Sequence, residues 1–175
     1  VQAAPPAYDD VRWRNLPPAE KEQILRRYAD LIVQNREHLS DIDVLDGGVL
    51  RGYSSFIVPF AAGNVQYYAG WPTKMHGAVP PTASDLIVNQ VREPIGVAAV
   101  IMPWNGPSVL TQSFIPALAC GNSVVMKAPE LAPLSSIIAG RLAVEAGIPA
   151  GVVNIVQGTG AVVGQALVEH RDVDV

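Results

Sequence analysis

The sequence predicts an α/β fold: a parallel sheet with helices on both faces, preceded by an N-terminal helical segment. Three observations predict it. From Pro94 onward, short β-branched runs alternate with helical windows, the pattern of right-handed strand–helix–strand units. Each strand run is continuously apolar rather than alternating, as expected when both sheet faces are covered. Upstream of Pro94 the apolar residues recur at helical spacing instead.

The elements follow in order. Residues 1–16 are rich in Pro and Ala and carry Trp13 and Leu16; they read as an extended lead-in. Pro17-Pro18 followed by Glu20 and Glu22 marks a helix start, because proline suits the first turn and acids suit its positive end. Leu25, Tyr28 or Ala29, and Ile32 continue that helix to about residue 37. A short second helix covers His38 to Leu45 and ends at Gly47-Gly48. Residues 54–71, with Phe56, Ile57, Phe60, Ala61, Ala62, Val65, Tyr68 and Ala69, form a third helix buried on much of its circumference. Residues 72–84 contain Pro72, Gly77, Pro80 and Pro81 and are loop, closing a mainly helical region over 1–84. Asp85 to Glu93 reads as an extended strand. The βαβ region over 94–175 then runs strand Val97–Ile101, helix 107–119, strand Ser123–Met126, helix 132–146, strand Val152–Val156 and helix 161–169. No repeat or low-complexity segment interrupts it.

Composition narrows the function classes. Hydrophobic residues make up 49% and charged residues 16%, and mean hydropathy is +0.23. Either a parallel-sheet core buries much of this, or part of the surface expects more protein. No run reaches the length of a membrane span. The first residues lack the charged and apolar regions of a signal peptide, and the absence of an initial Met fits a processed or trimmed start. Net charge is −4 with scattered basic residues, which argues against nucleic acid or an anionic membrane as partner. The single cysteine, Cys120, precludes an internal disulfide, so a reducing compartment, the cytoplasm, is expected.

Ligands of such sheets sit beyond the carboxyl ends of the strands, and three ends here carry chemistry. The first is Met102-Pro103-Trp104-Asn105-Gly106-Pro107. The Asn105 amide can donate to a developing oxyanion, a contribution of roughly 3–4 kcal/mol in favourable cases; capping the next helix is the commoner role for such a residue. The second is Lys127-Ala128-Pro129-Glu130, where a carboxylate can accept from ribose hydroxyls and an ammonium can donate to hydroxyls or phosphate; a solvated ion pair is the bland alternative. The third is Gly158-Thr159-Gly160-Ala161-Val162-Val163-Gly164. It lets a phosphate approach backbone N–H groups, yet it lacks the spacing of the dinucleotide fingerprint, since Val163 stands where a glycine is required, and it is no P-loop. A plain helix-start turn would look the same.

Taken together, Pro-Trp-Asn, the run Leu118 to Glu130, and Glu145 to Val156 resemble the NAD(P)-dependent aldehyde dehydrogenase superfamily in order and spacing. Tyr67 to Trp71, Lys74-Met75-His76-Gly77 and Arg92 to Val97 extend the resemblance over about Tyr8 to Val175. The resemblance implies a Rossmann-like, cofactor-binding domain. It assigns Asn105 as oxyanion donor, and Ile101, Met102, Pro103 and Trp104 as lining of the nicotinamide side of the cofactor cleft. It makes Lys127 and Glu130 the adenosine-ribose pair, and sets Gly160 and Gly164 near the adenine. A carboxylate beside the 2′-hydroxyl repels a 2′-phosphate, which favours NAD over NADP, although Lys127 could compensate. The helix after Asn105 lines the aldehyde tunnel in this family. Its inward positions here are Gly106, Leu110 and Ser113, two of them small, which implies a bulky or polar aldehyde rather than acetaldehyde. The stretch 85–93 resembles part of the family's oligomerisation ribbon, and dimers and tetramers are common. No metal site is implied.

Cys120 is the tempting nucleophile. It follows a helix C-terminus, the negative end, where a thiolate is disfavoured, and in the family this position is structural. His38, His76 and His170 have no acidic or thiol partner at a telling spacing. The family's catalytic cysteine and general-base glutamate lie beyond Val175, and Asp172-Val173-Asp174-Val175 resembles the lead-in to the next strand. The segment therefore reads as a single, partial domain, inactive as an isolated piece. Two alternatives stay open: a catalytically silent dinucleotide-binding or structural module, and a reductase of acyl phosphates or acyl-CoA on the same fold.

Overall fold

The computed structural model describes residues 1–9, 12–106 and 112–175. Its helices are α1 (Ala4–Asp9), α2 (Pro18–Gln34), α3 (Arg36–Gly47), α4 (Arg51–Ala69), α5 (Ile115–Ala119), α6 (Leu134–Ala146) and α7 (Gln165–Val168). Its strands are β1 (Val97–Ile101), β2 (Ser123–Lys127) and β3 (Val153–Val156), and a wide π-helical turn, Gly160–Gly164, leads into α7. The sheet is parallel with order β1-β2-β3; Val97 lies opposite Ser123 and Val124 opposite Val153.

The central strand explains the continuous apolar runs, since all five β2 residues are buried. Val124 and Met126 face a large core with Ala98, Leu25, Tyr28, Ile32, Val58, Val65 and Phe114. Val125 faces the other way, with Val97, Ala4 and Leu167. Helices thus cover both faces, as the composition of the strands predicts. A fully buried side chain such as Leu25 or Ile32 contributes roughly 1.5–3 kcal/mol relative to exposure, so the first face carries most of the stability.

Several elements differ from expectation. The lead-in over 1–16 is not extended throughout, because Ala4–Asp9 forms a helix whose Ala4 and Ala7 are buried. Pro5 and Pro6 fit a first turn, and the small residues let α1 approach the end of the β2–β3 connection. The approach is close there: a Cβ added to Gly151 would lie 2.9 Å from the Ala7 Cβ. The first long helix stops at Gln34 rather than 37; Asn35 turns its side chain back to donate to the Leu31 carbonyl at 2.8 Å. The short second helix is longer than expected and ends at Gly48, whose φ of 65° suits glycine. The third begins at Arg51 and tolerates Pro59 internally.

The strand expected over 85–93 is not part of a ladder in this chain. Among the described residues its one bridge is antiparallel, Ala78 to Gln90, and Leu86, Ile87 and Val91 are exposed. Extended backbone needs a partner to become a strand, and no element among the described residues supplies one. Of the helix expected over 107–119, Ile115–Ala119 is observed, while residues 107–111 lie outside the described residues. The helix expected over 161–169 divides into the wide turn and α7. At the outer edge of β1, the Ala99 N–H donates to the Val175 carbonyl at 2.7 Å and the Asp174 N–H to the Val97 carbonyl at 2.9 Å. Residues 174–175 therefore lie against the outer edge of β1.

Polar groups, most of them buried, stitch the layers together. Asp43 of α3 accepts from Ser54 of α4 at 2.7 Å and from Ser135 of α6 at 2.6 Å. Asp46 accepts from the Leu134 N–H at 2.8 Å, capping α6 from outside. Asn122 accepts from the Gly96 N–H at 2.9 Å and donates to the Ala117 carbonyl at 3.1 Å, joining the starts of β1 and β2. Among the described residues no helix is long and apolar enough to cross a membrane.

Candidate functional site

The carboxyl ends of β1 and β2 leave the sheet side by side. The Met102 N–H donates to the Lys127 carbonyl at 3.1 Å, and the Ala128 N–H to that of Val156 at 3.0 Å. The ladder therefore extends one residue past each strand before the chains splay. Between them lies a cleft of about 120 Å³ lined by Met102, Pro103, Trp104, Pro129, Glu130 and Leu131. Four of these six were expected from the sequence. Pro129 and Leu131 were not; the signal available was their place in the same turn as Glu130.

On the β2 side, alternation along the strand puts Lys127 on the face of Val125, and its side chain is 2% exposed. It pairs with Glu130 Oε2, three residues on. The other oxygen of Glu130 accepts from the Gly160 N–H at 3.5 Å. The Lys127 ammonium beside it, then backbone N–H groups, hold the Glu130 carboxyl below its ordinary value. Lys127 and Glu130, from the end of β2 and the turn after it, thus converge with Gly160 of a different connection. Gly164 packs under the β1 end, where an added Cβ would sit 3.7 Å from Ile101. Gly158, with φ of 142°, is obligatory: a Cβ there would lie 2.4 Å from Val163.

On the β1 side, Ile101 and Trp104 are about half exposed. Asn105 is exposed, and its side chain forms no hydrogen bond among the described residues. α5 starts at Ile115 after Phe114; the helix start near Pro107, to which the capping alternative refers, lies outside the described residues. Gly106 is buried, Ser113 is exposed on the turn before α5, and Leu110 lies outside the described residues.

Cys120 is at the opposite end of the sheet. It follows α5 and precedes β2, so roughly 16 Å of strand separates its end of the sheet from the cleft. Its Sγ lies 3.6 Å from Met75 Sδ, and it borders a hollow of about 540 Å³ with Pro72, Met75, Gln90, Val91, Arg92 and Glu93. That hollow is larger than the cleft but has none of the strand-end groups. His170 accepts from the Asp172 N–H through Nδ1 at 3.1 Å, a local turn contact.

Comparison with known proteins identifies the fold. The family described as "Aldehyde dehydrogenase family" matches residues 1–175. Aldehyde dehydrogenase family 2 member B4, mitochondrial, of Arabidopsis thaliana is 42% identical over 99% of this chain and 33% of its own length. An indole-3-acetaldehyde dehydrogenase in apo form superposes with a TM-score of 0.96 at 39% identity, covering 99% of this chain and 41% of that one. The NAD+ complex of an aldehyde dehydrogenase from Bacillus cereus gives 0.95 at 38% identity, covering 99% and 36%. The chain spans about a third of the length of the curated relatives it matches.

Proposed function

From the premise that the chain belongs to the aldehyde dehydrogenase family, we propose that it forms the oxyanion-donor and nucleotide side of an active site oxidising an aldehyde to an acid with NAD. The observation that carries this reading is one strand-end cleft: the turn after β2 brings Glu130, paired with Lys127, to its lining, and Trp104 on the β1 side is followed by Asn105, whose side chain forms no hydrogen bond among the described residues. NAD fits the residues present. The Glu130 carboxylate is open to solvent and can accept from the adenosine ribose, Lys127 lies beside it, and a Cβ added to Gly160 would meet nothing within 4 Å. Ile101, Met102, Pro103 and Trp104 would border the nicotinamide side, and Gly160 and Gly164 the adenine side. When bound, NAD accepts the hydride. Asn105 would donate through its side-chain amide to the oxygen that becomes negative as a nucleophile adds to the aldehyde carbon. That nucleophile is not Cys120, which lies at the other end of the sheet. A 2′-phosphate would meet the Glu130 carboxylate, so NAD is favoured over NADP.

Titration of NAD and of NADP, followed by tryptophan fluorescence, tests this. Saturable NAD binding, weakened by Glu130→Ala, is the expected result; NADP binding more tightly than NAD would sink the selectivity, and binding of neither would sink the reading. The small residues Gly106 and Ser113, with Leu110, favour a bulky or polar aldehyde. The relative named for indole-3-acetaldehyde has a substrate of that kind. A kcat/KM for acetaldehyde above that for aromatic aldehydes, in an enzyme containing this segment, would count against it. The exposed, extended stretch 85–93 suits pairing with a second copy; Ile87→Lys with Val91→Lys should then shift the protein to a smaller species in light scattering. The free Cys120 suits a reducing compartment such as the cytoplasm.

A further inference from the structure

The wide turn Gly160–Gly164 is anchored at its far end and along its side. Val163 packs into the space that Gly158 leaves open, and Gly164 packs against Ile101. Inside the turn, the Thr159 carbonyl accepts from the N–H groups of Val162 at 3.2 Å and Val163 at 2.9 Å. Neither contact reaches the N-terminal face of the turn, where the first N–H groups of a helical segment have no internal partner. Among the described residues, one side chain of another connection reaches that face: Glu130, accepting from Gly160 N–H at 3.5 Å. Its direction is set at the other oxygen, since Lys127 is buried at the end of β2 and holds Oε2.

We propose that Glu130 is a positioning residue for the Gly160–Gly164 turn, holding its N-terminal face against the end of β2 while Lys127 keeps the carboxylate aimed. The geometry stands without a ligand. The consequence for nucleotide binding rests on the reading above: Glu130 then acts on affinity twice, by contact and by fixing the turn opposite.

The test is amide hydrogen exchange resolved by NMR over residues 158–168, without nucleotide, on the whole chain. Glu130→Ala should speed exchange at Gly160 by about threefold, the loss of one long, exposed hydrogen bond, while amides of α2 keep their protection. Glu130→Gln, which retains an acceptor oxygen, should restore slow exchange. Because Glu130→Ala strands the buried Lys127 ammonium, Lys127→Met with Glu130→Ala serves as the second variant. It should expose Gly160 equally without a buried unpaired charge. Exchange at Gly160 unchanged in both Ala variants, or as fast in Glu130→Gln as in Glu130→Ala, would overturn the proposal. If the exchange pattern appears but wild-type protein binds no NAD, the positioning role stands and the nucleotide reading falls.

Discussion

The enclosed contacts between layers and the strand-end rim use the same chemical groups in opposite ways. Asp43, 1% exposed, has two seryl hydroxyls closed around it, whereas Glu130 faces solvent with Lys127 at one oxygen and backbone N–H groups as its remaining partners. Asn122 is buried with both ends of its amide engaged; Asn105 is exposed with neither engaged among the described residues. A polar group enclosed and satisfied holds layers together, because opening it would leave buried partners unpaired. A polar group left open can spend its hydrogen bonds on a ligand. The difference lies in closure and not in residue type.

Substitutions can break that comparison. Asn105→Ala should lower kcat by roughly 10²–10³-fold in an enzyme containing this segment, with NAD affinity and the denaturant midpoint unchanged. A lowered midpoint would return Asn105 to the structural class, and an unchanged kcat would remove its assigned role, provided hydride-forming steps limit turnover. Asp43→Ala should do the reverse, destabilising the fold by roughly 2–5 kcal/mol through two stranded hydroxyls, read as a shift in urea midpoint. Asn122→Ala should cost less, roughly 1–3 kcal/mol, by freeing the Gly96 N–H and the Ala117 carbonyl. If Asn122→Ala were neutral while Asn105→Ala unfolded the protein, the contrast would be inverted.

The smallest effect sharpens the contrast through pH. The Glu130 carboxyl is held below its ordinary value by Lys127, with no second charged side chain in contact among the described residues. A depressed folded-state value means that the contribution is present above the ordinary glutamate value, about 4.3, and is lost as pH falls through the lowered value. Slow exchange at Gly160 should therefore persist to about pH 4 and weaken below it. The Glu130→Gln variant should show no such step.

Much of the fold was legible because periodicity and punctuation report local physics. Pro18 and Glu20 mark the start of α2, Gly48 the end of α3, and the apolar runs of β1 to β3 report burial on both faces. The strand ends named Asn105, Lys127 and Glu130 as chemical groups, but spacing alone left each with an ordinary structural alternative. Their adjacency depends on register: Ile101 opposite Lys127 is a pairing between strands, invisible to any local window.

By itself, the sequence determined the α/β class, the helix and strand order of the βα region, and which residues carry chemistry, since those follow from backbone preference and from burial averaged along each element. The tertiary structure alone decided four further points. Residues 4–9 are helical because the sheet offers them a face to cover. Residues 85–93 stay outside the sheet because none of the described strands lies beside them. Cys120 is remote from the cleft because it sits at the amino end of β2. Glu130 meets Gly160 because two connections, distant in sequence, leave the carboxyl ends of neighbouring strands.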